Sequence, residues 1–324
     1  VHGSRHARAG ESRFRLRRRS DPLAAAPVND APAPLVRRVL VRSSADGRDY
    51  EATLVAPHAF ALAIAEAVPA AANRYAVNLG AGDGVSCNDP VYPLYRAGHA
   101  GVAIEGGDNP ALHANLPSPA IRKLTRTFIT PDNVARLLAE AGCPAEPDFL
   151  KLDIDGYDGP VLRALFEAGI RPKVVQLEVQ PEIPPPVAFA VHYHPDYRCV
   201  GRDERVSGFY GASLAYMTDL GRRFGYFAAQ VDFVTGFTHD VTLVDRRYAP
   251  LVAARFGLAE RADRELFLAH PPGFSHFREN GVDTLPWRGL DDPHTLLAAV
   301  WDAAGTACRH KHDGRLLPFH LSLV

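Results

Sequence analysis

Short apolar runs recur along the chain, with helix-like stretches between most of them. The runs at 75–79, 101–105, 124–129, 148–154, 173–179, 226–232 and 240–244 read as strands. The stretch 131–141 follows Thr130, a good N-cap, starts with Pro131 and stops at Gly142. Two more helices, 157–168 and 213–224, stop at Gly169 and Gly225. Near-continuous apolar strands alternating with helices predict an α/β, doubly wound, mostly parallel sheet covered on both faces. Upstream, 36–41 and 50–55 flank Asp46-Gly47 and read as a hairpin, followed by a helix over 58–68 that Pro69 stops. These elements are expected to cover one edge of the sheet. The stretch 178–186 reads as an extended, proline-stiffened loop. The last eighty residues are less regular, with a helix over 295–304 and a strand over 316–324. The divisions read are a basic, Pro/Ala-rich segment 1–45, an α/β domain 46–250 and a cap or appendage 251–324.

Composition narrows the class. At 324 residues with 47% hydrophobic content, the chain can fill a sizeable core. A formal net charge of −1 provides no global field for nucleic acid. The four cysteines, Cys87, Cys143, Cys199 and Cys308, form no CxxC pair, which argues against a zinc site or disulfide scaffold and suits a reducing cytoplasm. No apolar run has the ~20 residues of a membrane span, and no apolar segment follows the basic N-terminal residues as a secretory signal requires. Residues 5–19 are arginine-rich. They read as a surface-draped lead-in or as a basic arm for an acidic partner subunit.

The chemistry centres on Asn78-Leu79-Gly80-Ala81-Gly82-Asp83-Gly84, where a strand ends in three glycines at alternate positions. Such a turn offers backbone N–H groups to a nucleotide-like ligand. Glu105 closes the next strand, where an acid suits the two hydroxyls of a ribose. Downstream lies Asp148-Phe149-Leu150-Lys151-Leu152-Asp153-Ile154-Asp155-Gly156-Tyr157-Asp158.

These motifs, in this order, resemble the FkbM-type class of S-adenosylmethionine (SAM)-dependent methyltransferases over roughly residues 70–250. The resemblance implies a seven-stranded, Rossmann-like class I methyltransferase sheet whose last strand is antiparallel. It implies that Gly80, Gly82 and Gly84 pass under the methionine part of SAM, that Glu105 holds the ribose, and that Asp153 lies beside the transferred group. Asn78 stands where many methyltransferases carry an acid.

Asp153 and Asp155 alternate along the chain, so they face opposite ways unless it has turned by then, and Gly156 suggests a turn. Asp155 is either a cap for the next helix or, with Asp153 and Glu178, part of an acidic mouth. Such a mouth could act as a general base or hold a magnesium ion. His192 and His194 are the candidates for a neutral-pH base on the loop beyond. Arg202, Arg205 and Tyr210 could reach an anionic group, whereas His310 and His312 read as surface residues. The leading expectation is an O-methyltransferase for a hydroxyl of a small metabolite or sugar-like group. The alternative is a methyltransferase-fold enzyme that catalyses an elimination or cyclisation, with a homo-oligomeric or partner-subunit arrangement open in both.

Overall fold

The computed structural model describes residues 35–42, 49–86, 89–195, 211–232, 239–268, 287, 290–308 and 315–324. Seven strands form the central sheet: β3 (Tyr75–Leu79), β4 (Ala100–Ile104), β5 (Ile121–Leu124), β6 (Phe149–Leu152), β7 (Val174–Glu178), β9 (Tyr226–Asp232) and β10 (Asp240–Asp245). Their order is β5-β4-β3-β6-β7-β10-β9. The first five are parallel to one another, and β10 runs antiparallel to both β7 and β9. This is the seven-stranded, doubly wound arrangement expected. The strand order reverses between β3 and β6, so the crevice for a ligand opens at their carboxyl ends.

Both faces are covered because the strands are apolar on both. Leu79, Leu150 and Leu177 face one layer that includes Val134, Leu162 and Leu220 of helices α4 (Val134–Glu140), α5 (Asp158–Glu167) and α6 (Leu214–Arg223). Ala76, Ala103 and Phe149 face the other, with Phe60, Leu94, Leu112 and Val252 of α1 (Pro57–Ala67), α2 (Tyr92–Arg96), α3 (Pro110–Asn115) and α7 (Ala249–Phe256). Upstream, β1 (Val36–Arg42) and β2 (Asp49–Val55) pair antiparallel from Val36↔Val55 to Arg42↔Asp49. The hairpin meets the sheet edge at β9, where Val55 exchanges two hydrogen bonds with the Gln230 side chain.

Three local expectations are corrected. The third strand of the sheet is 121–124, not 124–129. Its ladder pairs with Gly101–Ile104, and beyond it Arg126 adopts a φ of 52° while the Arg126 and Thr127 N–H groups turn back to Gly107 and Glu105. Helix α4 starts after Asn133, whose side chain accepts from Thr130 N–H, so residues 131–133 are a lead-in turn. The stretch after the proline loop contains β8 (Val187–Val191), unforeseen, which pairs antiparallel with β11 (Phe319–Leu323). With α9 (Pro293–Ala307) these strands enclose a third core around Phe189, Leu296 and Val300. The C-terminal strand expected over 316–324 therefore exists, and β8 is its partner.

The arginine-rich segment, Asp46-Gly47, Cys87, Cys199, Arg202, Arg205, Tyr210, His310 and His312 lie outside the described residues. Among the described residues no helix is long and apolar enough to cross a membrane.

Candidate active site

The glycine turn forms where fully buried β3 leaves the sheet. Gly80 and Ala81 both donate their N–H groups to Ile104 O at 3.0 Å, and Asp153 N–H donates to Leu79 O at 3.0 Å. Three strand ends are thus tied together. Gly80 is obligatory here, since its φ is 78° and a Cβ would lie 1.6 Å from Asp153 O. Gly82, at φ 54°, is the opposite case: a Cβ there would meet no atom within 4 Å. The space above Gly82 is open, and a ligand can approach the backbone. Gly84 closes the turn by donating to Ala81 O at 2.8 Å.

Glu105 follows β4 directly. Its two carboxylate oxygens accept from Gly82 N–H and Gly107 N–H, each at 2.8 Å. The acid read from the sequence as a ribose partner therefore also pins the glycine turn to the β4 exit. A carboxylate oxygen can accept a further bond, so both tasks are compatible.

Asn78 is fully buried and points away from solvent. Its Nδ2 donates to Asp89 Oδ2 at 2.8 Å, and its Oδ1 has no partner among the described residues. Asp89 also accepts from Val91 and Tyr92 N–H, and lies 3.9 Å from Lys151 Nζ. Lys151 donates to Gly80 O at 3.1 Å and pairs with Asp153 Oδ2 at 3.1 Å. Burial opposes the Lys151 charge, but the carboxylates of Asp153 and Asp89 outweigh it and hold its pKa above the usual lysine value. Lys151 is thus the cation that joins the glycine turn to the acidic edge.

The acidic edge depends on a sharp turn after β6. Asp158, the first residue of α5, accepts from Ile154 N–H at 3.0 Å and Gly156 N–H at 3.1 Å. Asp155 takes a φ of 53°, which an aspartate tolerates better than most residues. Asp155 does not cap α5: the N-cap position is Tyr157, with no side-chain bond. The turn instead swings Asp155 round, so that one oxygen each of Asp153, Asp155 and Glu178 lie within 4.8 Å of one another. A fourth acid joins from the antiparallel strand: Asp240 is the register partner of Glu178 and accepts from Gln176 Nε2 at 2.6 Å.

So many carboxyl groups cannot all ionise together. Burial, then the Asp153 charge, pushes Glu178 well above its ordinary range. The same two causes push Asp240 up to about 7 and Asp158 up to about 6. Asp155 is the exposed member of the cluster; Asp153 is half-buried, its side chain 40% accessible, and Lys151 is its counter-ion. The arrangement sets two accessible acids, Asp155 and Asp153 with its ammonium partner, against Glu178, Asp240 and Asp158, whose carboxyl groups are held above their ordinary range.

These raised values make stability pH-dependent. In the unfolded chain Asp158 and Asp240 release their protons near pH 4. Between about pH 4 and 7 the folded protein binds more protons than the unfolded one, so this contribution is full at the acid end and lost as pH rises to 7. Asp148 acts oppositely. Despite its burial, the nearby His99 ring and the hydrogen bonds from Lys173 and Asn73 N–H hold it at about 2, so its contribution is present above pH 4 and lost as pH falls towards 2. Melting temperatures should therefore be several degrees higher at pH 5 than at pH 8, and Asp240→Asn should flatten that slope. An unchanged slope in the variant would show that Asp240 is ionised throughout.

The loop after β8 approaches the same edge through Tyr193, whose ring meets the Tyr157 ring edge-on at 5.2 Å. Its two histidines differ. His192 is exposed and sits near β11: its N–H donates to Pro318 O, and its charge, after burial, lowers the pKa of His320. His194 is half-buried one residue beyond Tyr193. The structure thus brings Asp153, Asp155 and Glu178 together, ties Glu105 and Gly82 to each other, and turns His192 towards the C-terminal strand. Sequence reasoning did not single out Asp240, Asp89 or Lys151. Lys151 lay inside the motif and carried a readable signal, a lysine in an otherwise apolar strand, whereas Asp240 had none before its register was known.

The family model for the methyltransferase FkbM domain matches residues 50–224. No curated protein matches the chain significantly. Among solved structures, similarity extends to a protein described as a hemolysin from Lactococcus lactis, at 13% identity over 57% of this chain and 86% of that one, TM-score 0.35. It extends also to a 1,6-didemethyltoxoflavin-N1-methyltransferase from Burkholderia thailandensis, determined with 1,6-didemethyltoxoflavin and S-adenosylhomocysteine, at 16% identity over 64% and 96% of the two chains, TM-score 0.33. A third is the pyocyanin biosynthetic protein PhzM, at 14% identity over 57% and 54%, TM-score 0.31. At these identities and scores the three likenesses add nothing to the sheet already described.

Proposed function

The chain belongs to the FkbM methyltransferase family, and from that premise we propose that it transfers the methyl group of SAM to a hydroxyl of a small molecule at the carboxyl ends of β6 and β7. The observation that carries this reading is the open space over Gly82, whose N–H is held by Glu105 in a turn tied directly to Asp153. The turn suits the methionine end of SAM, and Glu105 retains acceptor capacity for the ribose hydroxyls. SAM, when bound, supplies an electrophilic methyl group.

The chain's own residues do the rest. Asp153 takes the hydroxyl proton, and Lys151 holds its Oδ2 so that the other oxygen is oriented for that task. Glu178, its carboxyl held well above the ordinary range by burial, limits the negative charge that this edge carries. The all-oxygen cluster would suit magnesium by donor type. Lys151 already places a positive charge beside Asp153 at this edge.

SAM binding provides the test. Gly82→Ala should fold, with about 1 kcal/mol lost to its left-handed backbone, yet bind SAM at least tenfold more weakly because the new Cβ enters the ligand's space. Glu105→Ala should also lose about tenfold or more, from charge-assisted bonds worth about 1.5–3 kcal/mol. Calorimetry on the wild type and both variants reads this directly. No SAM binding by the wild type, or equal affinity in all three, removes the assignment.

A further inference from the structure

The loop that leaves β7 forms a pocket that the chemistry above does not use. Pro181, Pro184 and Pro185 make one wall, and Phe267 of helix α8 (Asp263–Leu268) and Leu296 of α9 make another, around a volume of about 90 Å³. That is room for several heavy atoms. Glu182 also lines this space, and its Oε2 is buried with no hydrogen-bond partner among the described residues. The reason is local: prolines have no N–H to offer, and the facing side chains are hydrocarbon. Arg264 also lines the pocket but is exposed and pairs with Asp291 at 2.5 Å. The main chain at Glu182 is fixed, because Trp287 Nε1 donates to its carbonyl at 2.7 Å.

A buried acceptor without a donor is costly, typically about 1–3 kcal/mol. A pocket walled largely by proline and hydrocarbon side chains, with a carboxyl group among its lining residues, has the form of a small-molecule site: hydrophobic lining with a few placed polar groups. Glu182 follows Glu178 by four positions, so the two lie within roughly 14 Å along even a fully extended chain. Val179 and Gln180 N–H donate to His239 O and Ala212 O, so the intervening chain is anchored.

We propose that this pocket recognises the non-reacting part of the acceptor, a compact apolar group bearing one N–H or O–H donor that bonds the Glu182 carboxyl. As an acceptor subsite it rests on the methyl-transfer reading of the β6–β7 edge; as a binding site it stands on the pocket alone. Burial pushes the Glu182 carboxyl up to about 7. An amine donor would therefore bind more tightly as pH rises through 7, and a hydroxyl donor would not.

The experiment compares three probes of one shape on the full chain: isobutylamine, isobutanol and isobutyl methyl ether, which has no donor. Ligand-observed NMR at pH 7.5 should give millimolar dissociation constants for at least one donor probe, at least fivefold tighter than the ether. Selectivity for the amine alone identifies a cationic donor, and selectivity for both a neutral one. In Glu182→Leu the advantage should vanish, while the melting temperature stays level or rises because an unpaired polar atom is gone. Glu182→Gln, which keeps an acceptor, should retain the advantage of isobutanol. Equal binding of all three probes, no binding of any, or unchanged selectivity in Glu182→Leu overturns the proposal. SAM affinity measured on the same samples separates the two readings, since a failed pocket with intact SAM binding leaves methyl transfer standing.

Discussion

Asp153→Asn should lower turnover by about 10²–10⁴-fold, the range for losing a positioned general base, while SAM affinity changes by no more than a few fold. Asp153 is partly exposed and its backbone, not its side chain, ties β6 to β3. The substitution should therefore leave the melting temperature within a few degrees. Lys151 keeps Gly80 O and Asp89 as partners and is not stranded. The assay is S-adenosylhomocysteine release with an acceptor that the wild type turns over, run with EDTA so that the role of the residues is read without divalent metal. A folded variant with full turnover would move the base elsewhere, with Asp155 and His194 next in line. Acceptor consumed without S-adenosylhomocysteine would replace methyl transfer by an elimination or cyclisation at the same acids.

Asp148→Ala, five residues earlier in the same motif, should instead destabilise the fold by about 3–5 kcal/mol. Asp148 lies at the opposite end of β6, where it accepts from Asn73 N–H at 3.1 Å, Arg74 N–H at 2.8 Å and Lys173 Nζ at 2.5 Å, with His99 Nε2 3.4 Å away. It thereby ties the entries of β3 and β7 to that of β6. Lys173 is only 1% exposed, so removing its carboxylate leaves a buried ammonium with Glu146 O as its remaining acceptor among the described residues. At about 2–4 °C per kcal/mol for a chain of this size, the melting temperature should fall by roughly 10 °C. SAM affinity below the transition should not change. A shift under 2 °C would show that the Asp148–Lys173 pair contributes nothing net. Exchanging both residues, Asp148→Leu with Lys173→Met, should recover part of the loss, because no charge is then left unpaired.

Together these two variants separate what one motif combines. Successive residues of a strand advance about 3.3 Å, so Asp148 and Asp153 stand roughly 16 Å apart, one at each edge of the sheet. As letters they are equivalent acids flanking an apolar run. Only the direction of β6 within the sheet assigns one to stability and the other to the ligand edge.

Much of the architecture was legible in the chain because its causes are local. Apolar runs such as 75–79 and 226–232 became strands with those bounds, and the helices at 58–68, 157–168 and 213–224 shifted by a residue at each end. Gly80 could be read as a close backbone approach because glycine alone satisfies that geometry. What was missed has a non-local cause. Strand β8 is short and sits behind prolines, and it is a strand because β11, more than a hundred residues later, supplies its hydrogen-bond partners.

The site divides in the same way. The sequence by itself determined the glycine turn, the acid after β4 and the acids around the end of β6, because backbone conformation and strand ends leave marks on residue type. Only the tertiary structure decided that Asp155 turns back towards Asp153 and Glu178, that Asp240 arrives through antiparallel register, and that Lys151 supplies the counter-charge. It decided too that Glu182 Oε2 is buried with no hydrogen-bond partner among the described residues. Each of these is a matter of which charges and donors meet across distant segments in a low-dielectric interior, where interaction energies depend on separation and burial, and no local pattern of residues encodes either.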